Sequence, residues 1–248
     1  MEQKKIIGII PSRYASSRFP GKPLADISGK PMIQRVYEQV IKCKALDRVI
    51  VATDDERIHA AVSSFGGNVE MTSESHTNGT ERCAEVASKH AATYYINIQG
   101  DEPFIKPEQI SALAAILDGD IELGTLVKPV SDPEVLDNTN NMKVVLNKDK
   151  EALYFSRNCV PFLRDLPKSE WLAHHTFYKH IGIYAYRSDV LKKIVKLEQG
   201  LLEKAESLEQ LRWLENGFRI KVAETDLETI GIDAPEDVEK ALKLEGLV

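Results

Sequence analysis

Short apolar runs alternate with amphipathic stretches four times up to residue 118, and this alternation constrains the fold more than any other feature of the chain. The first run, KIIGIIP, is continuous and β-branched, which is typical of a parallel strand buried on both faces. The stretch after Pro31 places Ile33, Val36 and Val40 at helical spacing. Repeated strand–helix order predicts an α/β protein with an open, mostly parallel sheet.

The second half of the chain is less regular. ELGTLVKPV, NMKVVLN and HIGIYAY have strand patterns, with the charged stretch FLRDLPKSEWLAHHTF between the last two. FRIKVAETD and APEDVEKALKLEGL then restore the order of strand and helix. Since no linker rich in Gly, Ser or Pro divides the chain, we predict a single domain over residues 1–248 with an excursion of about residues 130–180.

Charge and cysteine content narrow the functional classes. The net charge of −6 disfavours a nucleic-acid binder, which usually carries a basic excess. The three cysteines, Cys43, Cys83 and Cys159, form no CxxC pair, as expected of a protein in a reducing cytosol. The N-terminal apolar run is too short for a signal peptide, and no run reaches the ~20 residues of a membrane span. We therefore expect a cytoplasmic protein that binds neither nucleic acid nor a membrane.

The loop after the first predicted strand carries three cations, Arg13, Arg18 and Lys22, among small residues. In doubly wound sheets, ligands bind beyond the carboxyl ends of the strands, where this loop is expected to lie. The loop matches neither the GxGxxG nor the GxxxxGK[ST] pattern, so a Rossmann dinucleotide site and a P-loop are not indicated. The pattern indicates a polyanion site, and a solvated turn whose cations face water remains the alternative.

Two separated aspartates are candidate metal ligands. Asp101 follows the strand INIQG, and a carboxylate at that edge facing a cationic loop suits a divalent ion that also binds phosphate oxygens. Asp233 precedes a helix opened by Pro235, with Ala234 at the expected cap position. An ordinary turn at Asp101 and a simple helix start at Asp233 remain the alternatives.

Eight blocks of sequence together resemble the 3-deoxy-manno-octulosonate cytidylyltransferase (CMP-Kdo synthetase) family. They occur in order from residue 6 to about residue 243 and so cover nearly the whole chain. The first block alone resembles the wider group of cytidylyltransferases, and the YFSR, KHIGIY and LEQLR motifs are the more specific. The blocks are IIPSRYASSRFPGKPLADISGKPMI, VIVATDD, NGTERCAE, INIQGDEPFI, ALYFSRNCVPF, YKHIGIYAYR, LEQLRWLENGFRI and GIDAPEDVEKA.

The resemblance implies a function and a fold. Members of this family transfer CMP from CTP to 3-deoxy-D-manno-octulosonate (Kdo), giving CMP-Kdo and pyrophosphate for lipopolysaccharide synthesis. The implied enzyme is a magnesium-dependent nucleotidyltransferase and a cytoplasmic homodimer. Its implied fold is of the nucleotide-diphospho-sugar transferase type, with an inserted portion for sugar binding and dimerisation.

The resemblance also implies roles for individual residues. The implied catalytic residues are Lys22, Arg18, Asp101 and Asp233, of which Asp101 and Asp233 bind magnesium. The implied nucleotide-binding residues are Arg13, Arg18, Lys22, Asn78, Gly79, Thr80, Arg82 and Gln99. The implied sugar-binding residues are Gln99, Arg157, His180, Tyr184, Glu209 and Gln210. Asn78 stands where the family usually has Ser, which puts a hydroxyl contact to the nucleotide in doubt.

Several of these positions have structural alternatives. His180 lies on an apolar strand, where most histidines are core residues. Its alternation with Ile181, Ile183 and Ala185 places it on the opposite face of the strand from them, which favours the functional role. Tyr184 fits equally well as an ordinary strand residue. Two alternatives to the implied function remain open at this point: a cytidylyltransferase for 8-amino-Kdo or another acidic sugar, and a non-catalytic nucleotide-binding protein on the same fold.

Overall fold

The computed structural model describes residues 4–15 and 19–247. Within those residues, no helix combines the length and the apolar character needed to cross a membrane.

The first half of the chain alternates strands and helices as predicted. A short 3-10 helix, Lys22–Leu24, follows the first strand. The elements up to residue 115 are β1 (Ile6–Ser12), α1 (Met32–Val40), β2 (Arg48–Thr53), α2 (Glu56–Ser64), β3 (Val69–Met71), α3 (Gly79–Lys89), β4 (Tyr94–Asn97) and α4 (Pro107–Ala115).

The second half contains shorter elements and a second 3-10 helix, Lys168–Glu170. The elements in order are β5 (Leu123–Pro129), α5 (Pro133–Asp137), β6 (Lys143–Leu146), β7 (Ala152–Ser156), α6 (Trp171–His174), β8 (Tyr178–Arg187), α7 (Ser188–Ile194), α8 (Leu201–Glu206), α9 (Gln210–Glu215), β9 (Ile220–Glu224) and α10 (Pro235–Leu244).

One sheet holds all nine described strands. Its main row has the order β3-β2-β1-β4-β8-β5-β9, with β6 paired to β8 and β7 paired to β6. Only β7 and β8 run opposite to the other described strands. This arrangement confirms the predicted open, mostly parallel sheet, and it brings the carboxyl ends of β1 and β4 side by side.

Apolar side chains cover both faces of the sheet, as the continuous apolar run of β1 requires. Ile6 and Ile10 pack on one face with apolar residues of α1, α2, α4 and α10. Ile7 and Ile9 pack on the other face with residues of α3, α7 and α9. Burying both faces of a strand stabilises it by about 1.5–3 kcal/mol for each large aliphatic side chain. The helices thus form two layers that leave the ends of the strands open.

The predicted excursion has a small apolar cluster of its own. Leu136, Trp171 and Phe177 are buried together there. β6 attaches this part of the chain to the sheet by pairing Val144 with Tyr178 of β8. The sequence pattern identified β6 and β8 but not β7, whose exposed position is the apolar Leu153 while the polar Ser156 is buried.

Candidate active site

A cleft of about 260 Å³ lies at the carboxyl ends of β1 and β4. Five separate segments of the chain line it: the end of β1, the first 3-10 helix, the start of α3, the turn after β4 and the residue pair before α10. Eight of the residues predicted for the site line this cleft together. They are Arg13, Lys22, Asn78, Gly79, Arg82, Gln99, Asp101 and Asp233.

The two candidate metal ligands meet at Lys22. The ammonium Nζ of Lys22 lies 2.7 Å from Oδ2 of Asp101 and 3.6 Å from Oδ1 of Asp233. The backbone N–H of Ile232 donates to the carbonyl of Asp101 at 2.9 Å, which joins the two acidic segments. Asp233 therefore reaches the cleft although 132 residues separate it in sequence from Asp101.

Asp233 does not cap α10. The N-cap is Ala234, and the carboxylate of Asp237 accepts the backbone N–H groups of Asp233 and Ala234 at 3.1 and 3.0 Å. With the helix start satisfied by Asp237, the carboxylate of Asp233 stays 52% exposed at the cleft.

Gly100 allows the turn after β4 to approach β1. A Cβ at this position would lie 2.7 Å from the carbonyl oxygen of Pro11, closer than real Cβ atoms come to backbone. Any side chain at residue 100 would therefore push the Asp101 turn away from the end of β1.

The start of α3 forms a second wall of the cleft. Asn78 is its N-cap, and its side-chain oxygen accepts the N–H of Glu81 at 2.9 Å while its amide donates to the Glu81 carboxylate at 3.1 Å. Asn78 thus supplies the capping function that Ser performs at other helix starts. The N-terminus of a helix favours an anion because its first N–H groups have no partner within the helix.

Arg82 is almost fully buried beneath this wall. Its guanidinium donates to Oδ2 of Asp54 at 2.6 Å and to the hydroxyl of Thr72. Asp54 lies just after β2, so this ion pair ties the end of β2 to α3 and fixes the orientation of the arginine.

Thr80 and Glu209 contact each other instead of lining the cleft. The Thr80 hydroxyl donates to Oε2 of Glu209 at 2.9 Å and lies 3.3 Å from the hydroxyl of Tyr186. Burial raises the pKa of the Glu209 carboxyl. Thr80, predicted for the nucleotide side, and Glu209, predicted for the sugar side, therefore share one buried hydrogen-bond network between α3 and α9. Gln210, the first residue of α9, is also buried.

His180 and Tyr184 lie on β8, with ring centroids 5.2 Å apart. Nε2 of His180 lies 3.0 Å from the hydroxyl of Thr125. Burial lowers the pKa of His180 to about 3 and raises that of Tyr184 well above its usual value. Among the described side chains, Nδ1 of His180 and the hydroxyl of Tyr184 are buried atoms with no hydrogen-bond partner, a state that native proteins reserve mostly for water or ligand sites.

Gln99 connects this strand to the cleft. Its side-chain amide donates to the carbonyl of Gly182 on β8 at 2.9 Å, and the residue also lines the cleft. Gln99 thus lies between the cleft and the predicted sugar-side residues His180 and Tyr184.

The structure does not bring every predicted residue to this cleft. Arg157 lies in a second cleft of about 520 Å³ in the excursion, beside Trp171 and Cys159. Its guanidinium donates to the backbone carbonyls of Glu206 at 2.7 Å and Thr139 at 3.2 Å. Arg18 lies outside the described residues, so its predicted role stays a prediction.

Four polar residues at or beside the cleft were not selected from the sequence: Ser12, His76, Thr77 and Glu102. Ser12, His76 and Thr77 line the cleft. The ring of His76 lies 2.7 Å from the carboxylate of Glu85. Glu102 accepts the hydroxyl of Thr229 at 2.7 Å, and burial raises the pKa of its carboxyl to about 7. Glu102 could have been found from its place beside Asp101 in the GDEP turn, whereas nothing in the pattern marks His76.

The donor set around Lys22 suits magnesium. One cationic group already bridges the two carboxylates, and carboxylate oxygens are the protein ligands that Mg²⁺ prefers. In the described ranges, no three His, Cys, Asp or Glu side chains group closely enough to hold a metal ion by themselves. Such a site needs further oxygen ligands, which substrate phosphates and water commonly provide to Mg²⁺.

Comparison with known proteins points to one family. The model of the family described as cytidylyltransferase matches residues 7–230. A protein of Parabacteroides distasonis named 3-deoxy-manno-octulosonate cytidylyltransferase is 61% identical over 245 residues, covering 96% of this chain and 97% of that one. A protein of the same name from Bacteroides thetaiotaomicron is 58% identical, with 96% of both chains covered.

Solved structures agree with these relatives. A CMP:2-keto-3-deoxy-manno-octonic acid synthetase complexed with CTP superimposes with a TM-score of 0.92 at 42% identity, covering 98% of this chain and 99% of that one. A glucose-1-phosphate thymidylyltransferase described as putative, from Bacillus anthracis, is 18% identical with a TM-score of 0.63 over 96% of this chain and 94% of that one, and shares the fold alone.

Proposed function

The chain belongs to the cytidylyltransferase family, and on that premise we propose that it transfers CMP from CTP to Kdo, giving CMP-Kdo and pyrophosphate for lipopolysaccharide synthesis. The observation that carries the proposal is the meeting of Lys22, Asp101 and Asp233, from three distant segments, in one cleft at the sheet edge. Binding alone does not require two carboxylates facing a polyanion, but a metal-assisted transfer does.

The cationic side of the cleft would bind the triphosphate. Arg13 and Lys22 supply positive charge, and the N-terminus of α3 faces the same space with the backbone of Gly79. Transfer of a phosphoryl-type group depends mainly on positioning and charge neutralisation. We propose that Lys22 stabilises the departing pyrophosphate. Arg82, held by Asp54, would shape the part of the cleft that binds the nucleotide.

The reaction joins the anomeric C2 hydroxyl oxygen of Kdo to the α-phosphorus of CTP. The bond from the α-phosphorus to the bridging oxygen breaks, pyrophosphate leaves in line, and the hydroxyl proton passes to solvent or a nearby base. Bound Mg²⁺, held by Asp101 and Asp233, would neutralise phosphate charge and increase the electrophilicity of the α-phosphorus. This assignment of the metal rests on the donor set.

The sugar side would be built around β8. Gln99, His180 and Tyr184 connect from the cleft into a buried region where two polar atoms still lack a partner. Because its pKa is lowered to about 3, His180 is neutral near pH 7 and can donate or accept a hydrogen bond, but it does not act there as a cation. Glu209 and Gln210 are proposed to complete this side. Arg157, in the second cleft, stays a proposal from family resemblance alone.

Family resemblance is also the basis for three broader proposals. We propose that the enzyme works in the cytoplasm as a homodimer, and that residues 1–248 form a single nucleotidyltransferase domain with one excursion. The mass in solution, measured by light scattering, tests the dimer, which requires twice the 27.8 kDa of one chain.

The activity is tested by release of pyrophosphate from CTP and Mg²⁺ with Kdo, 8-amino-Kdo or sialic acid as the acceptor. We expect release with Kdo at the highest kcat/KM, and the D101N variant serves as the inactive control. A higher kcat/KM with 8-amino-Kdo would change the assigned substrate. No release with any of the three sugars would contradict the proposal and favour a nucleotide-binding protein without catalysis.

A further inference from the structure

The segment that carries Asp233 has no regular structure of its own. Residues 225–233, here called the Asp233 segment, lie between β9 and α10 and form neither helix nor strand. Its position therefore depends on individual contacts with the rest of the protein. Because Asp233 is one of the two carboxylates of the site, those contacts determine where the second carboxylate lies.

The far end of the segment is attached to the sheet and to α4. The N–H of Thr225 donates to the carbonyl of Val127 at 2.9 Å, and the side chain of Gln109 donates to the carbonyl of Leu227 at 3.3 Å. The carboxylate of Glu228 pairs with Lys128 at 3.0 Å and with Lys179. These contacts hold residues 225–228 but leave the five residues up to Asp233 to be fixed separately.

Besides the bond from the N–H of Asp233 to Asp237 of α10, two hydrogen bonds join the near end to the turn that carries Asp101. The Thr229 hydroxyl donates to Oε2 of Glu102 at 2.7 Å. The backbone N–H of Ile232, whose side chain is fully buried, donates to the carbonyl of Asp101 at 2.9 Å. Gly231 lies between them, close enough that a Cβ there would be 4.0 Å from Cγ of Glu102.

We propose that Glu102 is a positioning residue for the reaction: by accepting the hydroxyl of Thr229, it holds the Asp233 segment against the Asp101 turn and so sets the separation of the two carboxylates. This bond joins residues that are 127 positions apart in sequence, so it ties the two segments to each other directly. Ligands fixed in advance bind an ion more tightly because little conformational entropy is lost on binding. The part of this inference that concerns magnesium rests on the proposed function.

The test uses T229V, which removes the donor without altering charge or size near Asp101. Amide hydrogen exchange over residues 230–234 is measured first, in the protein without substrates. We expect exchange in T229V to be faster by about tenfold, as for the loss of one partly buried hydrogen bond. The Mg²⁺ concentration that gives the half-maximal rate should rise by about the same factor, with a smaller change in kcat at saturating Mg²⁺.

Two control variants separate this role from general loosening of the segment. T229S keeps the hydroxyl and should restore both readouts. T225V makes the same chemical change at the far end of the segment, where the Thr225 hydroxyl accepts the N–H of Leu227, and should leave residues 230–234 near the wild-type exchange rate. Equal effects in T225V and T229V, or unchanged exchange in T229V, would overturn the proposal.

A double variant ties the effect to Glu102 itself. If Glu102 acts through Thr229, E102Q combined with T229V should raise the exchange rate no further than T229V alone, because the two residues share one interaction. Additive effects would contradict the assignment. Since exchange is measured without substrate, it remains decisive even if the wild-type protein shows no transferase activity, an outcome that would count against the proposed function instead.

Discussion

Lys22 occupies the position between two carboxylates that a divalent ion would also occupy. Its ammonium lies close to Asp101 and farther from Asp233, so a single positive charge is shared unequally between two negative ones. One ammonium therefore leaves a net negative charge among the three groups. A bound Mg²⁺ would reverse that sign, and the ammonium could then pair with substrate phosphate.

Removing either carboxylate charge should affect catalysis much more than folding. D101N and D233N are each expected to lower kcat by about 100-fold or more, because the oxygen ligands of the ion are lost. The free energy of unfolding should change by less than about 1 kcal/mol, since these ion pairs are partly exposed. Steady-state kinetics and urea unfolding measure the two effects, with D226N on the same segment as the control. A near-normal rate in either variant would remove that carboxylate from the mechanism.

His180 should make the stability of the protein depend on pH. Its pKa is about 3 when folded, below the usual 6.5, so the unfolded chain binds more protons between these values. The contribution to stability is complete above about pH 6.5 and is lost as the pH falls toward 3, by up to about 1.4 kcal/mol per pH unit. Urea unfolding from pH 4 to 7 should show a shallower dependence for H180Q than for the wild type. The exposed H174Q control should match the wild type, and an unchanged slope in H180Q would contradict the burial of a neutral ring.

The sequence predicted some site residues better than others, for a physical reason. Arg13, Lys22 and Asp101 lie at the cleft, as predicted from the rule that ligands bind at the carboxyl ends of strands. The pattern also marked Asp233, because Ala234 and not Asp233 was the expected cap, but only folding brings it to Lys22. The contact between Thr80 and Glu209 depends on how α3 packs against α9, which no local pattern encodes. For the same reason the pattern did not predict that Arg157 would lie in a different cleft.

At the scale of elements, the first half of the fold was predictable and the second half was partly so. β1 to β4 and their helices have strong periodicity, and a helical crossover between successive strands makes neighbouring strands parallel. The reversed direction of β8 results from its entry through the excursion, and a strand pattern carries no information about direction. β7 pairs with β6 and has an apolar residue, Leu153, at its exposed position, so it lacks the alternation that would distinguish a strand from a loop.

The buried ion pair between α8 and α9 should contribute strongly to stability. The guanidinium of Arg212 contacts both carboxylate oxygens of Glu203 at 2.6 Å, and both side chains are largely buried. R212A would leave an unpaired buried carboxylate, so we expect it to lower the free energy of unfolding by about 3–5 kcal/mol. The comparison is K193A, which breaks the exposed pair between Lys193 and Asp189 and should cost less than about 1 kcal/mol. If urea unfolding showed that R212A and K193A lower the free energy of unfolding by similar amounts, burial would not determine how much an ion pair stabilises this protein.

At the scale of the whole molecule, an acidic protein concentrates cations where it binds an anion. The net charge is −6, yet Arg13, Lys22 and Arg82 all line one cleft. Because Asp101 and Asp233 line the same cleft and Arg82 pairs with Asp54, these cations would attract a polyanion together with the proposed magnesium, without making the whole surface basic. Residues between 11 and 101 line the cleft together with Asp233, so the cleft is complete only when the segment after β9 lies against the ends of β1 and β4.

Chelation of metal should abolish activity without unfolding the protein. The described part of the chain offers two carboxylates at the cleft but no complete set of protein ligands, so the metal is expected to bind together with the substrate and not to support the fold. EDTA should therefore stop pyrophosphate release, added Mg²⁺ should restore it, and the melting temperature without CTP should shift by less than about 2 °C. A large fall in melting temperature with EDTA would instead identify a structural metal, and full activity in EDTA would exclude the proposed role of Asp101 and Asp233. Calorimetry and the coupled assay on the same sample distinguish these outcomes.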